Sequence, residues 1–118
     1  MSDDKLATLL VELAKRTRTG SLNWERTAAE GVYQASFPRY TVQLSVKYNP
    51  QGPDDYLVTI LDSEGSVIEK VADPDLADRL SDPLELMSKM YSSARRQALG
   101  VDRAIDDILG ELSKQIPF

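Results

Sequence analysis

Two adjacent arginines, Arg95 and Arg96, with Lys89 shortly before them, are the side chains in this sequence best suited to holding a ligand. A guanidinium presents a planar fork of donors that matches carboxylate or phosphate, so a nucleotide or an acidic partner is the chemistry such a cluster would serve. Trp24 adds an aromatic surface with a single N–H donor, able to stack on a base or anchor a partner. Thr17 and Thr19 come just before it, and a cleft shared by Thr17, Thr19, Trp24 and Arg95 would strengthen an anion site. Each of these residues also has a structural role open to it. Lys89 follows Glu85 at helical i,i+4 spacing, and cations are favoured near a helix C-terminus. At 100° per residue Arg95 lies ~40° from Tyr91 and Arg96 ~140° away, so the two point in different directions. Arg95 is therefore expected to brace an acidic loop or helix end and Arg96 to stand in solvent, while Trp24 suits a core position.

Other chemistries are closed or weakly supported. The chain has no His and no Cys, which removes thiol nucleophiles, Ser-His and Cys-His pairs and the usual zinc ligands. Asp54, Asp55, Asp62 and Glu64 are oxygen ligands of the kind Ca²⁺ or Mg²⁺ takes, but their spacing fits no EF-hand loop, and Asp in a turn is explained by its own backbone hydrogen bonds. Asp106 and Asp107 are neighbours on a helix and diverge by about 100°. None of the Gly-rich phosphate cradles or the Gly-x-Ser-x-Gly elbow occurs. The expectation is a protein without catalytic residues, metal or cofactor, and not an enzyme.

The positioning elements follow from periodicity. Ser2 with Asp3 and Asp4 opens a helix in which Leu6, Leu9, Leu10, Leu13 and Ala14 mark one buried face; it runs from about Asp3 to about Thr17 and ends at Gly20. From Ser21 to Val71 the signal is β. A short first strand is expected where Leu22 and Trp24 alternate with Asn23 and Glu25. A second runs from Tyr33 to Phe37, stopped by Pro38. In the third, Val42, Leu44, Val46 and Tyr48 face inward, opposite Thr41, Gln43, Ser45 and Lys47. After a loop at Asn49–Asp55, Tyr56–Leu61 and Ser66–Val71 flank the turn Asp62-Ser63-Glu64-Gly65 as an antiparallel hairpin. Asp75 to Leu80 reads as a short helix or a turn. Asp82, Pro83 and Glu85 supply an N-cap, an N1 proline and an acidic N3, starting a second helix whose stripe is Leu84, Met87, Tyr91, Ala94 and Ala98 and which ends at Leu99-Gly100. A third, from Asp102 to near Gln115, carries Ile105, Ile108, Leu109 and Leu112; Ile116 precedes Pro117 and is biased out of the helix.

These elements assemble as a single α+β domain over residues 1–118: an N-terminal helix, a five-stranded antiparallel β-meander, and two C-terminal helices expected to pack on one face of the sheet. A sheet with one apolar face must cover it, and the amphipathic helices are the covers available.

Two segments carry a resemblance. Residues 17–24, Thr-Arg-Thr-Gly-Ser-Leu-Asn-Trp, and residues 94–109, Ala-Arg-Arg-Gln-Ala-Leu-Gly-Val-Asp-Arg-Ala-Ile-Asp-Asp-Ile-Leu, resemble a group of small, mostly uncharacterised bacterial proteins with a Leu-rich first helix, a Thr-x-x-Gly-x-Leu/Ile-x-Trp start to the sheet and an Ala-Arg-Arg-x-Ala helix near the end. That group has no established activity, so the resemblance implies the domain plan and a bacterial source and assigns no site.

Charge bears on partners. Fourteen basic residues against 19 acidic give a net charge of -5, which opposes nonspecific attraction to phosphate backbones. No apolar stretch approaches a membrane span, and the start lacks a signal-peptide pattern. The expectation is a small acidic interaction or accessory protein of the bacterial cytoplasm, immunity-like or chaperone-like, with a protein partner or a second copy of itself and no nucleic acid or membrane. The alternative is a sensor or binder of a small anionic ligand such as a nucleotide, through Arg95 and Arg96, with Trp24 and Lys89 nearby.

Overall fold

In the computed structural model, residues 2–115 are described; the expectation for Ile116 and Pro117 lies outside them. The elements are α1 (Ser2–Arg18), β1 (Glu25–Arg26), β2 (Tyr33–Ser36), β3 (Tyr40–Lys47), β4 (Asp55–Asp62), β5 (Val67–Ala72), a short 3-10 turn (Asp73–Leu76), α2 (Pro83–Leu99) and α3 (Val101–Gln115). The strands form one antiparallel sheet in the order β1-β2-β3-β4-β5, a meander.

The helix ends are set by local hydrogen bonding. At the end of α1, the amide of Gly20 donates to the Thr17 carbonyl and that of Ser21 to the Arg16 carbonyl at 2.9 Å, a closure that needs the left-handed φ of 77° which glycine adopts without penalty. At the start of α2, Asp82 Oδ1 accepts from the Glu85 amide at 3.2 Å, with Pro83 in the first helical position. Gly100, at φ 65°, ends α2 and lets α3 begin at once in a new direction.

The first strand is shifted from its expected place. Trp24 turns its indole into the core, and its backbone N–H donates to the side-chain Oε1 of Gln97 on α2 at 3.0 Å. Its amide is thus committed to a helix, and the ladder begins one residue later, with Glu25 opposite Gln34. Tyr48 is a second departure. It lies beyond β3 and is exposed, since the amide of Asn49 bends back to Asp54 Oδ1 and the alternation stops.

α2 lies on the sheet against β1, β2 and β4, and α1 packs along α2. Leu10 and Leu13 of α1, Met87, Met90 and Ala94 of α2, and Leu76 of the 3-10 turn join Trp24, Tyr33, Val42, Leu44, Val58 and Val71 in one buried cluster. Those side chains complete the roof. The last helix is not part of it, contrary to expectation: every residue of α3 from Asp102 to Lys114 is exposed. The radius of gyration, 16.8 Å, exceeds the roughly 13–14 Å of a compact chain this long, as a projecting helix would require. No helix among the described residues is long and apolar enough to cross a membrane.

Candidate functional site

The expected cluster of Trp24, Lys89, Arg95 and Arg96 does not converge. Trp24 is 1% exposed; its indole N–H donates to Thr17 Oγ1 at 2.9 Å, and that hydroxyl donates to the Leu13 carbonyl at 2.6 Å. Every polar atom in this relay is used inside the fold, so the tryptophan is a core residue bonded to α1 and, through Gln97, to α2. Thr19 stays at the surface, bonded to Ser21 and the Arg16 carbonyl. Lys89 is exposed and pairs with Glu85 at 2.9 Å; that hydrogen bond and the Glu85 charge raise its pKa above 10.5.

The arginines point apart, as their angular separation implies, but their roles are exchanged. The turn at Gly100 brings Asp102 back over the end of α2, where its Oδ1 accepts from Arg96 Nη2. Arg96 therefore ties α2 to α3, whereas Arg95, expected to brace an acidic element, enters no ion pair among the described residues. The loop opposite Arg95 is held by other means. Thr27 Oγ1 bonds to the backbone of Ala29 and Val32, and the Tyr91 hydroxyl donates to the Gly31 carbonyl at 2.6 Å.

Arg95 instead faces a cleft of about 550 Å³ between that loop and α2. Arg26 at the end of β1, Glu30, Tyr91 and Leu99 share its lining. Arg26 was not singled out from sequence because it lies far from Arg95 along the chain, and only the β1–β2 pairing places the two on one cleft. The Tyr91 ring sits between Tyr33 and Tyr56 at centroid distances of 5.5 and 5.6 Å, and burial, with Tyr33 acting in the same direction, raises its pKa above 10.0. Arg96 lines a different hollow, with Thr17, Gln97 and Asp102.

The acidic loop residues have local explanations. Asp62 Oδ1 accepts from the amides of Glu64 and Ser66, both at 2.9 Å, and Asp54 Oδ1 from that of Asn49 at 3.0 Å. The buried Asp73 accepts from the Tyr56 amide at 2.7 Å.

The second candidate surface is the outer side of α3. Ile105, Ile108, Leu109 and Leu112 are 45–58% exposed, with Leu99 at the end of α2 also open to solvent. At 100° per residue the stripe spans an arc of about 100°, bordered by Asp102 and Asp106 on one side and Glu111 on the other. Arg103 and Lys114 fall on the opposite side, more than about 160° from its centre. Comparison with protein-family models, with curated proteins and with solved structures finds no match.

Proposed function

We propose that the protein is a non-catalytic interaction module of the cytoplasm that docks α3 into an apolar groove of a partner protein whose rim carries Lys and Arg. The observation behind this reading is the solvent-facing stripe of α3. A folded chain rarely leaves a contiguous row of large aliphatic side chains in water, and such rows usually mark association surfaces. Each of the four residues still has about half its surface to bury, contributing on the order of 1 kcal/mol apiece to a complex.

Charge selects the partner. Acidic groups border the stripe on both sides, so a second copy laid against it would bring carboxylates towards carboxylates, whereas a basic rim would be attracted. Asp102 and Glu111 have exposed partners in Arg96 and Lys114, and pairs of that kind exchange readily with solvent or a new partner. An acidic polar face is also the wrong sign for anionic lipid. A cysteine-free composition agrees with the cytoplasmic part of the reading.

The test is a photo-crosslinking residue at position 109 in cells of the source organism, followed by purification of the captured protein and titration against this chain. Expected are saturable binding that weakens with salt, loss of binding with Ile108→Ser plus Leu112→Ser, and roughly tenfold weakening with Asp106→Lys plus Glu111→Lys. A concentration-dependent homodimer abolished by the same serine substitutions would replace the foreign partner with a second copy. Binding that charge reversal leaves unchanged would remove the basic rim, and binding to anionic vesicles would make the surface a membrane contact.

A further inference from the structure

We infer that the cleft between the β1–β2 loop and α2 is a binding site for a small organic phosphate, held by Arg26 and Arg95. Both guanidiniums line one cleft, and neither has a carboxylate partner among the described residues, in a chain whose net charge is -5. Arg16 pairs with Glu12 and Arg96 with Asp102, whereas Arg26 and Arg95 share the lining of one cleft without such a pair. Two guanidinium-bearing residues on one cleft favour phosphate over carboxylate. One fork occupies both oxygens of a carboxylate, whereas the three terminal oxygens of a phosphate monoester can accept from two.

The remaining lining suits an organic body. Leu99 and Val32 offer apolar contact, and Glu30, also without an ion-pair partner, can accept a hydrogen bond from a hydroxyl or amino group. A volume of about 550 Å³ falls within the 300–1,000 Å³ common for small-molecule sites. The loop wall is ordered in advance, by the Thr27 hydroxyl and by Tyr91 bonding to the Gly31 carbonyl, so binding need not order it. This inference does not depend on α3 docking, since α3 contributes none of the lining.

The experiment is NMR titration of the ¹⁵N-labelled full chain with AMP, ribose 5-phosphate, adenosine and citrate, each to about 10 mM so that dissociation constants up to the millimolar range register. Expected is saturable binding of both phosphates with shifts confined to residues 26–33 and 91–99, and much weaker effects of adenosine and citrate. Arg26→Gln and Arg95→Gln should each weaken binding at least about tenfold, as loss of a charge-assisted hydrogen bond implies. Both arginines are exposed, so these variants should keep the parent spectrum and Tm. Arg39→Gln, at another exposed site, and Arg96→Gln should bind as the parent does. Three results would overturn the assignment: no saturable shift with either phosphate, citrate or adenosine binding as tightly as AMP, or equal loss in Arg96→Gln.

Discussion

α1 and α3 are written in nearly the same code, yet one is roof and the other is arm. Each carries a leucine- or isoleucine-bearing stripe at helical spacing, acidic groups near its start and a basic residue in its last turn. Leu10 and Leu13 of α1 are 0% and 4% exposed, while the α3 stripe is about half exposed. The difference lies in what each helix meets. α1 is joined to the core by the Thr17–Trp24 relay and lies along α2, whereas α3 begins after α2, α1 and Leu76 have already covered the apolar face of the sheet. Periodicity defines a face, but tertiary vacancy decides whether the protein itself fills it.

Truncating the roof is the strongest way to break this comparison. Leu10→Ala removes a fully buried side chain from the centre of the cluster and should cost 2–5 kcal/mol, the range for cavity-forming leucine substitutions. Urea unfolding of variant and parent measures it through the shift in midpoint. A loss below about 1 kcal/mol would mean that α1 is not held as described, and the contrast with α3 would disappear.

The sequence carried the meander, the capped start of α2, the Gly20 and Gly100 boundaries and the Glu85–Lys89 pair, because each depends on residues close in the chain. It did not carry the position of β1, since that depends on Gln97 taking the Trp24 amide from far along the chain. The candidate cleft was half legible. Arg95 and its separation from Arg96 followed from helical angles, but its companion Arg26 emerges only once β1 pairs with β2 and α2 crosses above. The fate of α3 was not legible for a related reason: its stripe satisfies the same pattern whether the surface it meets belongs to this chain or to another.

An intermediate effect is expected where α2, unlike α3, is tied to the sheet side of the molecule. Tyr91→Phe deletes the hydroxyl that donates to the Gly31 carbonyl and should cost about 1 kcal/mol near neutral pH, the usual net worth of one hydrogen bond. The variant should also change the alkaline limb. Burial raises the folded-state pKa of Tyr91 above its ordinary 10.0, so its contribution is complete below about pH 10 and is lost as pH rises through the folded value. The parent should therefore lose stability more steeply above pH 10 than the Tyr91→Phe variant. Parallel alkaline limbs in urea titrations would show that the phenol is not buried as described.

The smallest effect is expected on the arm, and its smallness is the informative part. Ile108 is 58% exposed on a helix whose residues from Asp102 to Lys114 are all exposed, so Ile108→Ala leaves no buried cavity and replaces a β-branched residue with the best helix former. Stability should stay within about 0.5 kcal/mol of the parent, as for ordinary surface positions. The same urea experiment that reads Leu10→Ala reads this change, with equal m-values confirming that the unfolding unit is unchanged. A loss of 2 kcal/mol or more, comparable to that at Leu10, would show that the chain buries this stripe in solution, against itself or a second copy. Dilution would separate those two cases, because only burial between copies makes the midpoint depend on protein concentration.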